Sequence, residues 1–154
     1  MVEHRLGFSR SVIHLGNSPR PPPGARLPYI ALTSGIECVD DANSQHYNQL
    51  LDAKDVTKDW NSFEQMRRDD ELYRWGAFVA HNSDPVTPGG GSCIFLHVWD
   101  GPDQGTVGCT AMEQSKIQSL LRWFDPAKRP VLVQLPDSEY SRLTKSWLLP
   151  RRPH

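Results

Sequence analysis

His97 and Cys109 stand twelve positions apart. A Cys–His pair is the minimum for thiol nucleophilic catalysis. The imidazole takes the thiol proton, the thiolate attacks a carbonyl, and an acyl intermediate splits one hard step into two. The residues before the cysteine suit that chemistry. Gly105 and Gly108 flank Thr106-Val107 and permit a tight turn, which can aim successive backbone N–H groups at a developing oxyanion. Gly108 and the Cys109 amide are the expected donors, with Thr106 supporting the turn. A helix is expected just after Cys109, and its N-terminal dipole would favour the thiolate. A thiol paired in this way is expected to ionise well below the free-thiol value of about 8.5. The plainer reading makes Cys109 a small buried hydrophobe and His97 a core histidine.

Other residues carry weaker signals. His81 and Asn82 follow an apolar stretch, and Asn82 either contacts a substrate or holds its own turn before Asp84-Pro85. A zinc site from His81, His97 and Cys109 lacks the four closely spaced ligands of a structural site, so no metal is expected. Asp40, Asp41 and Asp52 lie among turn residues and read as solvated caps. The cysteines number three, so they cannot all pair within the chain. Cys38 and Cys93 are possible disulfide partners, but Cys93 falls in an expected core strand, and a buried free thiol is the preferred reading. Arg67-Arg68 before Asp69-Asp70-Glu71 reads as a solvated charged face.

The elements that must position His97 and Cys109 are mainly strands. Ser92–Val98 is the strongest, apolar on both faces. Gly76–Ala80, Leu27–Thr33 and Pro130–Leu135 are further strands, the last one buried. Ile117, Leu120, Leu121 and Phe124 recur at helical spacing. That helix is expected to start in a Thr110-to-Glu113 capping box and to stop at Asp125-Pro126. Ser62 to Arg68 is expected to add a turn or two of helix with Ser62 as N-cap. Tyr140 to Trp147 is expected to form another short helix. The fold expected is mainly β with one principal helix packed on it.

The 154 residues suit one domain. Residues 1–24 read as an arm ending in the Pro-rich segment Pro19-Arg20-Pro21-Pro22-Pro23-Gly24, and residues 25–150 as the domain proper. The chain has 17 Lys+Arg against 18 Asp+Glu, a formal net charge of −1. That balance argues against a nucleic-acid partner, whose binders show a basic excess. Mean hydropathy is −0.55, and no apolar run approaches the roughly 18 residues of a membrane span. Met1 to Arg10 has charges but no apolar core of a secretory signal.

Gly89-Gly90-Gly91-Ser92-Cys93-Ile94-Phe95-Leu96-His97-Val98, followed by Thr106-Val107-Gly108-Cys109, resembles the YkuD-type L,D-transpeptidase catalytic domain. It is most similar to the branch with a GSxIFLH strand and a TxGC nucleophile turn. Cys38-Val39-Asp40-Asp41, Tyr47-Asn48, Tyr73-Arg74-Trp75-Gly76, His81-Asn82-Ser83-Asp84-Pro85 and Leu121–Pro126 resemble that branch too, as does the ending from Glu139-Tyr140 to Leu149-Pro150. The resemblance covers about residues 20–150. It implies a catalytic β-sandwich or barrel, Cys109 as nucleophile and His97 as base, with no cofactor. It implies peptidoglycan tetrapeptide stems as partners and a place in the periplasm or cell envelope. Water as acceptor would make the protein an L,D-carboxypeptidase, and a catalytically silent cell-wall-binding remnant is the non-enzymatic alternative.

The sequence departs from the family in two places. Many members carry a second His before the glycine of the nucleophile turn, and an Arg or Asn shortly after the cysteine. Here those places hold Val107 and Thr110-Ala111, which leaves oxyanion binding to backbone N–H groups. Such domains also have strands ahead of the Pro-rich segment, usually behind a signal peptide. Met1 to Ser18 does not resemble that region, so an N-terminally truncated domain is expected.

Overall fold

The computed structural model describes residues 9–151. It is mainly β, with two sheets and two α-helices. The larger sheet runs β2 (Tyr29–Ala31), β1 (Ser9–Gly16), β6 (Gly76–Val79), β7 (Phe95–Val98), β8 (Thr110–Met112), and β9 (Val131–Leu132) pairs with the start of β1. The smaller sheet runs β4 (Leu50–Asp52), β3 (Ile36–Val39), β5 (Phe63–Gln65). The helices are α1 (Gln114–Trp123) and α2 (Asp137–Leu143).

Both faces of the larger sheet are covered, which is why β6 and β7 are apolar runs with every residue buried. Side chains alternate between faces along a strand. Ala77, Val79, Leu96 and Val98 therefore point one way, against Leu27, Phe124 and the α1 residues Ile117 and Leu121. Leu15, Phe78 and Phe95 point the other way and pack with Ile36 and Cys38 of β3, with Met66 and with Tyr73. The second of these clusters lies between the two sheets, and it reaches Cys109.

Several local expectations are corrected. Ser62 to Arg68 contains β5 rather than helix, because Phe63, Glu64 and Gln65 pair antiparallel with Val39, Cys38 and Glu37. A weak helix signal yields to sheet pairing. Thr110 begins β8, so no capping box forms; α1 starts after Glu113, whose side chain makes no cap bond. The strand expected from Ser92 begins only at Phe95, and Cys93 has a positive φ of 56°. Pro130–Leu135 yields the two-residue β9 at the sheet margin, with Val131 exposed. The helix expected over Tyr140 to Trp147 starts and ends earlier, as α2. β1 comes from the stretch read as an arm, while the part of that arm before Ser9 lies outside the described residues. Among the described residues no helix is long and apolar enough to cross a membrane.

Candidate active site

His97 sits in β7 on the Phe95 face and is buried. Its Nδ1 lies 2.7 Å from the Val98 carbonyl. A carbonyl only accepts, so Nδ1 carries a proton, and in the neutral imidazole the lone pair is then on Nε2. That is the tautomer a general base needs. The Tyr73 ring packs on the imidazole with centroids 5.2 Å apart.

Cys109 immediately precedes β8, which runs parallel to β7 with Leu96 opposite Thr110 and His97 opposite Ala111. That register sets Cys109 beside Phe95. The Phe95 N–H donates to Sγ at 3.4 Å, and the thiol donates to the Cys93 carbonyl at 3.6 Å. His97 is two residues further along the same face, about 6.6 Å along the strand and about 4.8 Å across from the cysteine's position. Thr106 Oγ1 donates to the Cys109 carbonyl and so supports the turn. Val107, the residue before Gly108, is wholly exposed.

The electrostatics correct one expectation. Burial pushes the Cys109 thiol up to about 11, and the nearby Glu64 carboxylate pushes the same way, against the Phe95 N–H and Tyr73 hydroxyl, which favour the thiolate. The resting group is a thiol, not a preformed thiolate. The helix dipole does not reach it, because β8 intervenes between Cys109 and α1. Any use of that thiol as a nucleophile would call for a base, and His97 is the candidate.

Two further groups belong to the site. Tyr73 donates its hydroxyl to Glu64 Oε1 at 2.5 Å. Burial raises the Glu64 carboxyl above the usual range, against the Tyr73 bond and the charges of His97 and Arg68. Neither residue stands out in sequence as part of the site. Tyr73 appears only inside a resemblance string, and Glu64 lies in the stretch expected to be helical.

His81 and Asn82 are committed elsewhere. Asn82 donates to the Thr87 and Gly91 carbonyls and accepts from the Thr87 N–H, and His81 Nε2 lies 3.2 Å from the Gly90 carbonyl. These bonds knit the glycine-rich loop that leads into β7. Asn48, also missed, ties both ends of that loop. It donates to the carbonyls of His81 and Asn82 and accepts the Cys93 N–H. In sequence it appears only inside the resembling string Tyr47-Asn48, with no role attached.

Cys38 and Cys93 form a disulfide, which overturns the free-thiol reading of Cys93. The reason is local. Cys93 lies in the irregular lead-in to β7 with a positive φ, not in the strand, and packs in the core between the sheets with Cys38 of β3. Cys109 is the free cysteine. Asp41 accepts N–H groups of Asn43 and Asn61, and Asp52 accepts that of Lys54, so both act as caps. Among the described residues no group of three or more His, Cys, Asp or Glu could hold a metal. No known family, curated protein or solved structure matches the chain.

Proposed function

We propose that the protein is a cysteine-dependent acyl transferase acting on peptidoglycan stem peptides, an L,D-transpeptidase. The observation that carries the reading is the placement of His97 on β7 and of Cys109 just ahead of the adjacent parallel strand β8, with Nδ1 of His97 bound to a carbonyl so that Nε2 of the neutral ring can accept a proton. Two sheets sharing a core, with α1 on the outer face, are compatible with a YkuD-like β-sandwich. The Cys38–Cys93 disulfide supports a location in the periplasm or cell envelope, because disulfides persist in oxidising compartments.

In this reading Nε2 takes the thiol proton as Sγ attacks the carbonyl carbon of the third stem residue. The N–H groups of Gly108 and Cys109 receive the oxyanion. The intermediate collapses to a thioester, and the imidazolium gives its proton to the departing amine of the terminal D-alanine. An acceptor amine then attacks the thioester, His97 takes its proton, and Sγ leaves as the restored thiol. Water in place of the amine gives the carboxypeptidase outcome from the same residues. The raised thiol of Cys109 is what favours the other reading, a silent cell-wall-binding remnant.

The test is an exchange reaction followed by mass spectrometry. The protein is mixed with a disaccharide-tetrapeptide and an excess of isotopically labelled D-amino acid, beside a folded Cys109→Ala variant. Label at stem position four, absent with the variant, is expected. Loss of D-alanine without label makes the protein a carboxypeptidase. No change with folded wild-type protein overturns the enzymatic reading on this stem.

A further inference from the structure

On the face of the larger sheet that packs α1, an apolar groove of about 120 Å³ runs between the end of that helix and β9. Val79 and Leu96 of the sheet line it, with Leu120 and Trp123 of α1, Pro130 and Val131. Trp123 is 65 % exposed and Val131 46 %. A surface helix ordinarily turns its large apolar side chains inward. Here Leu121 and Phe124 are buried on either side of a tryptophan that stands out. The Trp123 ring packs on Phe124, with centroids 5.9 Å apart, so it is held at the groove.

The same stretch of chain is basic. Residues 120–134 carry Arg122, Lys128 and Arg129, all exposed, and one acid, Asp125. Asp125 is already committed, to Arg26 at 3.0 Å and to the Ala127 N–H. Among the described residues none of the three cations forms an ion pair. The whole chain stands at −1, so the excess is local. Lys128 and Arg129 occupy the short connection from α1 to Pro130, where Arg129 closes the turn Pro126–Lys128 at a φ of 47°. Cations and groove thus belong to one continuous surface.

We propose that this surface docks on a bilayer rich in anionic phospholipid. Trp123 and Val131 enter the interface, and Arg122, Lys128 and Arg129 meet the headgroups. An exposed indole suits the headgroup level of a membrane, and cations near an anionic leaflet add to the attraction. Charge complementarity selects this occupant over two others. A nucleic acid would use the cations and leave the groove empty. A second copy seated by a two-fold axis would bring the same cations face to face. Docking of this kind lies on the surface and needs no spanning helix. It also orients the molecule. Side chains alternate along β7, so Leu96 faces the groove while His97 faces the layer between the sheets, where Cys109 packs. The docked protein therefore turns both residues away from the bilayer.

The experiment is vesicle flotation of the full chain, disulfide intact, at low ionic strength. Vesicles of equimolar phosphatidylglycerol and phosphatidylcholine are compared with phosphatidylcholine alone. Binding to the mixed vesicles, weakened by added salt, and none to the neutral ones is expected. A Lys128→Gln, Arg129→Gln double variant should bind about thirtyfold more weakly, at about fivefold for each cation near the surface. Trp123→Ser should bind about tenfold more weakly through lost apolar contact. Brominated phosphatidylcholine in the mixed vesicles should quench the tryptophan fluorescence of the wild type, and Trp123→Ser should lose that quenching. All three substitutions are at exposed positions; should Trp123→Ser not fold, Val131→Ser takes its place in the binding series. No binding to the mixed vesicles overturns the proposal. So does binding that depends on the cations but is neither weakened by the apolar substitution nor accompanied by quenching, because the groove is then unused. A wild-type dimer in sedimentation that Trp123→Ser dissociates assigns the groove to a second copy and also overturns it. None of these readouts uses a stem peptide, so inactivity on that substrate leaves them separately readable.

Discussion

Asn48 is buried with a positive φ of 62° and carries three hydrogen bonds on one amide. Asparagine tolerates the left-handed region better than other residues with a Cβ, and it supplies two donors and an acceptor. All three bonds go to the ends of the loop from His81 to Cys93, so one side chain fixes where β7 begins. Asn48→Ala keeps the backbone strain and leaves the buried Cys93 N–H unsatisfied. The expected cost is about 3 kcal/mol, read from urea unfolding. Faster proteolytic cleavage within residues 82–91 should accompany it. A variant as stable and as resistant as the wild type would show that the disulfide alone holds the loop. Asn82 plays a smaller part, holding the loop from within.

At the scale of elements, the disulfide fastens β3 of the smaller sheet to the lead-in of β7. The Cys93 carbonyl accepts the Cys109 thiol bond, so the same link also sets the floor under Cys109. The cysteines are 55 residues apart, and opening a loop of that length should cost about 4 kcal/mol by chain entropy. Urea unfolding with and without reductant measures it, with a Cys38→Ser, Cys93→Ser double variant as control. An unchanged midpoint would contradict the account. What was legible in sequence follows from the same elements. β6 and β7 could be read because both faces are apolar, and α1 because its spacing is helical. His97 and Cys109 stood out because few side chains can do nucleophilic chemistry. β5 was not legible, since a three-residue strand owes its form to pairing with β3 and not to its own pattern. The Glu64–Tyr73 arm was lost with it. The disulfide was hidden because Cys93, with its positive φ, lies in an irregular lead-in rather than in the strand that its apolar surroundings suggest.

Over the whole molecule, the larger sheet is enclosed on both faces, and its interior strand β1 carries a histidine into the layer beneath α1. His14 is fully buried, lies opposite Ala77 in the β1–β6 ladder, and packs on Phe124 with ring centroids 5.9 Å apart. Neither ring nitrogen has a hydrogen-bond partner among the described residues. Desolvation holds its pKa down at about 4, against an unfolded value of 6.5. Between those values the unfolded chain binds a proton that the folded protein refuses. Stability from this residue is therefore complete above about pH 6.5 and is lost as pH falls toward 4. The loss approaches about 3 kcal/mol at the acid end. Carboxylates titrate in part of the same range, so the measurement is a difference. Urea unfolding of wild type and His14→Leu is followed from pH 7.5 to pH 4. Leucine fills a similar apolar space without a proton to bind, so its stability curve should fall less steeply, and the gap between the two should open from pH 6.5 downward. Parallel curves would mean that His14 gains a partner for its charge in the folded state, and would remove it as a source of acid sensitivity.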